Sequence, residues 1–235
     1  MPGLVLEEHR PTLADLLRPR LARAPRWVRW ALAAVVLLVA LLVLWRAFAG
    51  GSSGETHYVH KAPVVFNFRY PDAMHRVAPR SPEIIRVERR RGSLFLDSFA
   101  VEPLSLPPFR GDVSGELPID AEREIAALRK RFPQEFELTR EGKARVNAVP
   151  GYDVQFRARL GERRLFGRLV LLPEPAAGED LADASGELQN ARSRRGVRLL
   201  MLATPASGAV RSRDVGARGN LKTPFRSFRF GTEGP

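Results

Sequence analysis

The sequence predicts an α+β fold: a mostly antiparallel sheet of about seven strands with helices packed on its faces, preceded by one transmembrane helix. Three observations predict it. From Trp30 to Trp45 the chain runs sixteen residues, WALAAVVLLVALLVLW, without a charge or a hydrogen-bonding side chain other than the two indoles. From His57 onward this gives way to short runs of period-two alternation joined by tight turns, the pattern of strands with one buried face. A single segment, Ala121 to Phe132, places Ala121, Ile125, Leu128 and Phe132 at the spacing of an amphipathic soluble helix.

Residues 1–27 read as a basic cytoplasmic arm, in which Thr12 caps a short helix bearing Leu13, Leu16, Leu17 and Leu21 and Pro19 and Pro25 interrupt it. Residues 28–49 read as the membrane helix. A hydrocarbon core of about 30 Å needs roughly 20 helical residues, and sixteen supply about 24 Å. Extending the helix to Val28 and Ala49 recruits Arg29 and Arg46, whose stems follow the apolar helix while their heads reach the interface. Trp27, Trp30 and Trp45 then lie at the two headgroup levels. Arg18, Arg20, Arg23, Arg26 and Arg29 precede the span and only Arg46 closely follows it. The N-terminus is therefore expected in the cytoplasm and the large region beyond the membrane. Two alternatives compete: a buried core helix, and a signal peptide cleaved after Ala49, since Ala47-Phe48-Ala49 has the small-x-small pattern. Residues 50–56, with Gly50-Gly51-Ser52-Ser53-Gly54, read as a flexible linker, and residues 57–231 as one extracytoplasmic domain.

Val64, Phe66, Phe68 and Tyr70 alternate with polar residues up to Pro71-Asp72 and form a strand; Ile84–Arg90 and Ser93–Val101 form a hairpin about Arg91-Gly92. Pro103 to Pro118, rich in proline and glycine, reads as a loop, and Asp120 as the cap of the helix that Pro133 ends. Short strands follow at Glu135–Thr139 and Ala144–Ala148, then a hairpin of Tyr152–Ala158 and Arg164–Leu172 turning at Gly161-Glu162. Residues 173–192 read as a long mobile loop. Gly196–Thr204 is apolar on both faces, as a covered central strand is. Residues 205–220 read as a Gly-rich connection with at most a short helix near Asp214, and Ser227-Phe228-Arg229-Phe230 as the last strand.

This order resembles the superfamily of photosystem PsbP, Ran-binding Mog and LpqN-type lipoproteins over residues 57–230. Val65-Phe66-Asn67-Phe68-Arg69-Tyr70-Pro71-Asp72 is similar to its opening F-x-F-x-Y-P strand; the helix before Gly151-Tyr152, the two-faced strand and the closing Ser-Phe-Arg-Phe follow in the same order. The helix that usually precedes the last strand would here be stunted by Gly216, Gly219 and Pro224. The resemblance implies an antiparallel sheet with helices on its faces and a binding or accessory role without catalytic residues.

The chain has no cysteine, which excludes disulfides, thiolate metal sites, cysteine nucleophiles and a lipidated cysteine. Its formal charge of +12 is carried almost wholly by arginine, as a GC-rich genome also writes it. Removing the six arginines and three acids before Trp30, and Arg46, leaves 31 basic against 23 acidic residues. With the predicted topology, such a surface faces the lipid bilayer, an envelope protein or an acidic envelope polymer, and no nucleic acid is expected. His57 and His60 at strand entry face opposite sides and make no metal clamp. Neither Gly111–Gly115 nor Ala184-Ser185-Gly186 has the spacing of a nucleophile elbow, and no Gly-rich loop joins a strand to a helix. No catalytic, cofactor or metal site is therefore expected.

Three arginine clusters remain as candidate binding residues: Arg86, Arg89, Arg90 and Arg91; Arg163 and Arg164; and Arg192, Arg194 and Arg195. Against that reading, charge at turns and strand edges is ordinary and discourages aggregation. The sequence thus leaves two hypotheses, a non-catalytic binding module and a hydrolase or transferase acting on envelope polymers. A groove lined by arginine and aromatics favours the first; a cleft with two or more carboxylates of raised pKa favours the second.

Overall fold

The computed structural model describes residues 54–107, 113–175 and 194–232, together with Pro25, Trp27, Trp30, Ala31, residues 34–39 and Leu41. The chain divides into two units, Met1–Ser52 and Ser53–Pro235. In the first, the described residues from Trp27 to Leu41 are helical, and Trp27 and Trp30 are 72% and 77% exposed. Among the described residues, no helix is long and apolar enough to cross a membrane. Arg29, Trp45 and Arg46, and most of the expected span, lie outside the described residues, as does most of the loop expected at residues 173–192.

The second unit opens with β1 (Glu55–His60), whose first two residues were expected to be linker, followed by β2 (Phe66–Pro71), β3 (His75–Val77), β4 (Ile85–Arg91) and β5 (Leu94–Leu106). Helix α1 (Val113–Arg131) leads to β6 (Phe136–Val146), β7 (Val149–Leu160), β8 (Arg163–Pro173) and β9 (Arg194–Ala203). Two 3-10 turns, Pro205–Ser207 and Ser212–Asp214, precede α2 (Lys222–Ser227) and β10 (Arg229–Phe230). These strands form two antiparallel sheets, one of three in the order β1-β2-β10 and one of seven in the order β3-β4-β5-β9-β8-β7-β6.

Seven strands in one sheet agree with the sequence, but the layers differ from expectation. Helix α1 covers one face and the three-stranded sheet covers much of the other, so the fold is mostly β. Strand β9 shows why. Val197, Leu199, Met201 and Ala203 pack with Phe66, Phe68, Tyr70, Phe99 and Phe228 beneath the small sheet. Leu200 and Leu202 pack with Leu117, Ala121, Ile125, Leu128 and Phe156 beneath α1. A strand apolar on both faces belongs in the middle, and β9 is fourth of seven. Both cores lie between Val64 and Phe228, so residues 53–235 carry their own interior.

Helix α1 is longer than predicted. Val113 and Leu117 extend the buried stripe of Ala121, Ile125 and Leu128 by two positions, and Pro118 lies inside the helix. Its missing N–H falls in the second turn, and burial of Leu117 holds the helix through it. Asp120 is not the cap but a buried helical residue beside Arg123, at 3.1 Å. Likewise β5 runs through Pro103 to Leu106 instead of ending in a loop, and the two strands expected before Pro150 are the single strand β6. The stunted helix is real: α2 has six residues, with Pro224 among the first four positions, where no intrahelical donor is needed. Ser227, expected in the last strand, ends α2; its Oγ accepts from Arg69 N–H at 2.8 Å, serving the edge of β2 that the two-residue β10 is too short to reach.

Candidate functional site

Four arginines line an open cavity of about 400 Å³ at the outer part of the large sheet. Arg140 comes from β6 and Arg157 from β7, while Arg211 and Arg213 come from the 3-10 turn Ser212–Asp214 and its flank. Phe166 on β8 and Val210 supply apolar surface, and Gln155 and Thr139 add polar groups. Even-numbered Val154, Phe156 and Ala158 of β7 face α1. Gln155 and Arg157 therefore point to the opposite side, where the 210–214 segment lies.

Local irregularities assemble this wall. The pairing of β6 with β7 slips between Leu138 and Arg140, so Leu138 faces Phe156 and Arg140 faces Gln155, with Thr139 as the extra residue. Such a bulge re-aims side chains, and here both Thr139 and Arg140 reach the cavity. Ser212 Oγ donates to the Phe156 carbonyl at 2.8 Å, and an Arg168 guanidinium N–H donates to the Val215 carbonyl at 3.3 Å, pinning the second wall to the sheet. The Asp214 carboxylate accepts from the backbone N–H groups of Arg211 at 3.0 Å and Val210 at 3.3 Å. Arg157 pairs with Glu137 at 2.5 Å. Among the described residues, no carboxylate lies within ion-pair distance of Arg140, Arg211 or Arg213.

The candidate arginines named from sequence have other positions. Arg86 is only 3% exposed and belongs to an alternating ionic chain, so it is not a surface contact. It binds Glu83, with Nε to Oε2 at 2.8 Å, and Glu88 at 3.2 Å. Arg90 joins Glu88 at 3.0 Å. Arg131 of α1 bridges Glu83 at 3.4 Å and Glu102 at 3.2 Å, and Arg198 bridges Glu102 at 3.5 Å and Glu124 at 2.5 Å. Arg89 holds Asp97 at 2.6 Å. Arg91 is exposed beside the β4–β5 turn, and Arg163 and Arg164 are exposed beside the β7–β8 turn.

Strand register places these two turns beyond the same end of the sheet, since Asp97 and Phe166 both pair with Ala203. Arg195 pairs with Ser105 at the other end of β9, about 26 Å away along the strand. The third cluster is thus separate from the other two. Arg194 lies on β9, and Arg192 lies outside the described residues.

Burial pushes Glu83 upward, but its hydrogen bonds from Arg86 and the Arg80 N–H, with the charges of Arg86 and Arg131, leave it below the ordinary glutamate value. Burial raises Asp97 against the opposing pull of Arg89. Burial also raises Glu124 against Arg198, with Asp120 and Glu102 adding to the rise. These two raised carboxylates occupy different places: Asp97 on β5 beside the 207–221 segment, Glu124 on α1. His57 and His60 lie on β1, with His57 Nε2 3.4 Å from Asn67 Oδ1. Among the described residues, no group of three His, Cys, Asp or Glu side chains is placed to hold a metal ion.

The arginine wall was missed in sequence because its four members are scattered over 74 residues and no two form a run. The signals available were the charged residue at the bulge and the Arg-Ser-Arg beside Asp214.

No family model matches the chain and no curated protein matches it. Among solved structures it is similar to the cyanobacterial PsbP protein CyanoP from Synechocystis, at 13% identity and a TM-score of 0.47, covering 77% of this chain and 95% of that one. It is also similar to LpqN, involved in cell envelope biogenesis of Mycobacterium tuberculosis, at 9% identity and a TM-score of 0.46, covering 79% and 95%. At TM-scores below 0.5 the likeness carries no statement about ligand or partner.

Proposed function

We propose that the chain is a non-catalytic binding module, held at the membrane by its N-terminal apolar segment, whose domain from Glu55 onward lies outside the cytoplasm and receives an acidic envelope component or protein. The observation that carries the reading is the open cavity walled by Arg140, Arg157, Arg211 and Arg213 over Phe166. Clustered arginine forks suit recognition of anionic groups, whereas acid–base hydrolysis calls for paired titratable carboxylates in one cleft. The raised carboxylates Asp97 and Glu124 stand apart from each other and do not line this cavity. Assignment to the PsbP, Mog and LpqN superfamily belongs to the same proposal and rests on the order of motifs in the sequence.

Protease digestion of a C-terminal tag in wall-stripped cells tests the topology. Digestion before lysis as well as after is expected, and protection until lysis overturns the extracytoplasmic placement. A photo-crosslinking residue at exposed Val210 then tests the site: the expected product is an acidic envelope component, lost when Arg140 and Arg213 are replaced by glutamine. A cross-linking pattern indifferent to those replacements rejects the cavity as the binding site.

A further inference from the structure

We infer that the arginine-walled cavity takes a phosphate or diphosphate ester, with its organic part against Phe166 and Val210. This rests on the binding-module reading of the same cavity and narrows its ligand to one chemical class. Among the described residues, Arg157 pairs with Glu137, and Arg140, Arg211 and Arg213 have no carboxylate within ion-pair distance. Arg140, Arg211 and Arg213 therefore leave about three positive charges to be met by a ligand. One carboxylate meets one of them, and a diphosphate meets about three.

Direction argues the same way. Arg140 and Arg157 belong to the sheet wall of the cavity, and Arg211 and Arg213 to the 3-10 segment that Ser212 pins to it. A tetrahedral phosphate offers oxygens to donors on several sides, whereas a carboxylate accepts within one plane. At about 400 Å³ the cavity has the size of a small-ligand site and exceeds what a lone phosphate fills. Val210, 72% exposed, gives the remainder of the ligand an apolar surface, to which Phe166, 5% exposed, adds only the small part that the core leaves open.

The test is calorimetric titration of the full chain, in phosphatidylcholine nanodiscs, with inorganic diphosphate and with citrate as a carboxylate of similar charge. Diphosphate is expected to bind at least about tenfold more tightly than citrate. Arg140→Gln and Arg213→Gln are each expected to weaken it about tenfold, with Arg145→Gln, an exposed arginine elsewhere on β6, changing it less than about twofold. Unfolding midpoints of the variants show that each remains folded. Displacement of diphosphate by vesicles containing phosphatidic acid, and not by phosphatidylcholine alone, identifies the ester as a lipid headgroup. Lack of displacement identifies it as soluble or polymer-borne. Citrate binding as tightly as diphosphate, with the same arginine dependence, overturns the phosphate class and leaves the binding module standing. Absence of arginine-dependent binding of either anion overturns both.

Discussion

Replacing Arg86 with methionine tests whether the buried ionic chain holds the β4–β5 side of the sheet to α1. The methionine keeps most of the stem's packing and removes the charge. Glu83 and Glu88, both buried, lose their shared partner. Breaking a buried pair by deleting one member costs about 3–5 kcal/mol. Glu83 keeps Arg131 and the Arg80 N–H, and Glu88 keeps Arg90, so the loss belongs at the lower end, about 3 kcal/mol. For a unit of this size that is a drop of about 6–12 °C in Tm.

Acid should narrow the gap. In the native protein Glu83 is held below its unfolded pKa, so its contribution is present above that unfolded value and is lost as pH falls through the folded one. Without Arg86, the lowering by its hydrogen bond and charge is gone and Glu83 takes up a proton more readily, which relieves the variant as pH falls. The assay is urea unfolding of residues 53–235 at a series of falling pH values. A difference below about 1 kcal/mol, or one that does not change with pH, would mean that water screens the chain of charges and that it does not lock the helix to the sheet.

Gly167→Ala should cost about 1–3 kcal/mol in the same assay, because the added Cβ falls on the ring of Phe156, itself held between Phe132 and Phe136. Gly161→Ala, at a turn with φ of +60° and open space around it, should cost only about 1 kcal/mol of backbone strain. Asn147→Ala should cost about 1–2 kcal/mol and speed hydrogen exchange at Phe228–Phe230, since its amide donates to the carbonyls of Arg226 at 2.7 Å and Phe228 at 2.6 Å; unchanged exchange there would refute its role as the clip on the C-terminus.

The strands were legible where alternation was clean: Phe66 to Tyr70, the two hairpins and the two-faced run at Val197–Leu202 all appear close to where the pattern puts them. What was lost was lost at prolines. Pro103 and Pro118 read as a loop, yet Pro103 sits in register opposite Val197 and Pro118 rides inside α1, because burial of Leu104, Leu106 and Leu117 outweighs one absent N–H each. The second layer on the large sheet was invisible for another reason. Phe228 lies 160 residues beyond Phe68, and alternation says which face is buried without saying what buries it. The arginine runs misled in the same way: charge in a sequence reads as surface, but Arg86 is interior because Glu83 and Glu88 come with it. The cavity draws on four elements that only the fold brings together.

Strand β10 closes a sheet begun near the start of the domain, with the Asn67 amide bonded to the Gly231 carbonyl across 164 residues. A ribosome adding about 5–20 residues per second needs roughly 8–33 s to deliver that partner after Asn67 has been made. Through that interval Phe66 and Phe68 belong to an unfinished small sheet, and a nascent chain cut short before Phe228 lacks the ring that stacks on Phe66 at 5.5 Å. The small sheet is thus completed only after every strand of the large sheet has been made, so the last residues of the domain close a layer whose first strand has waited longest.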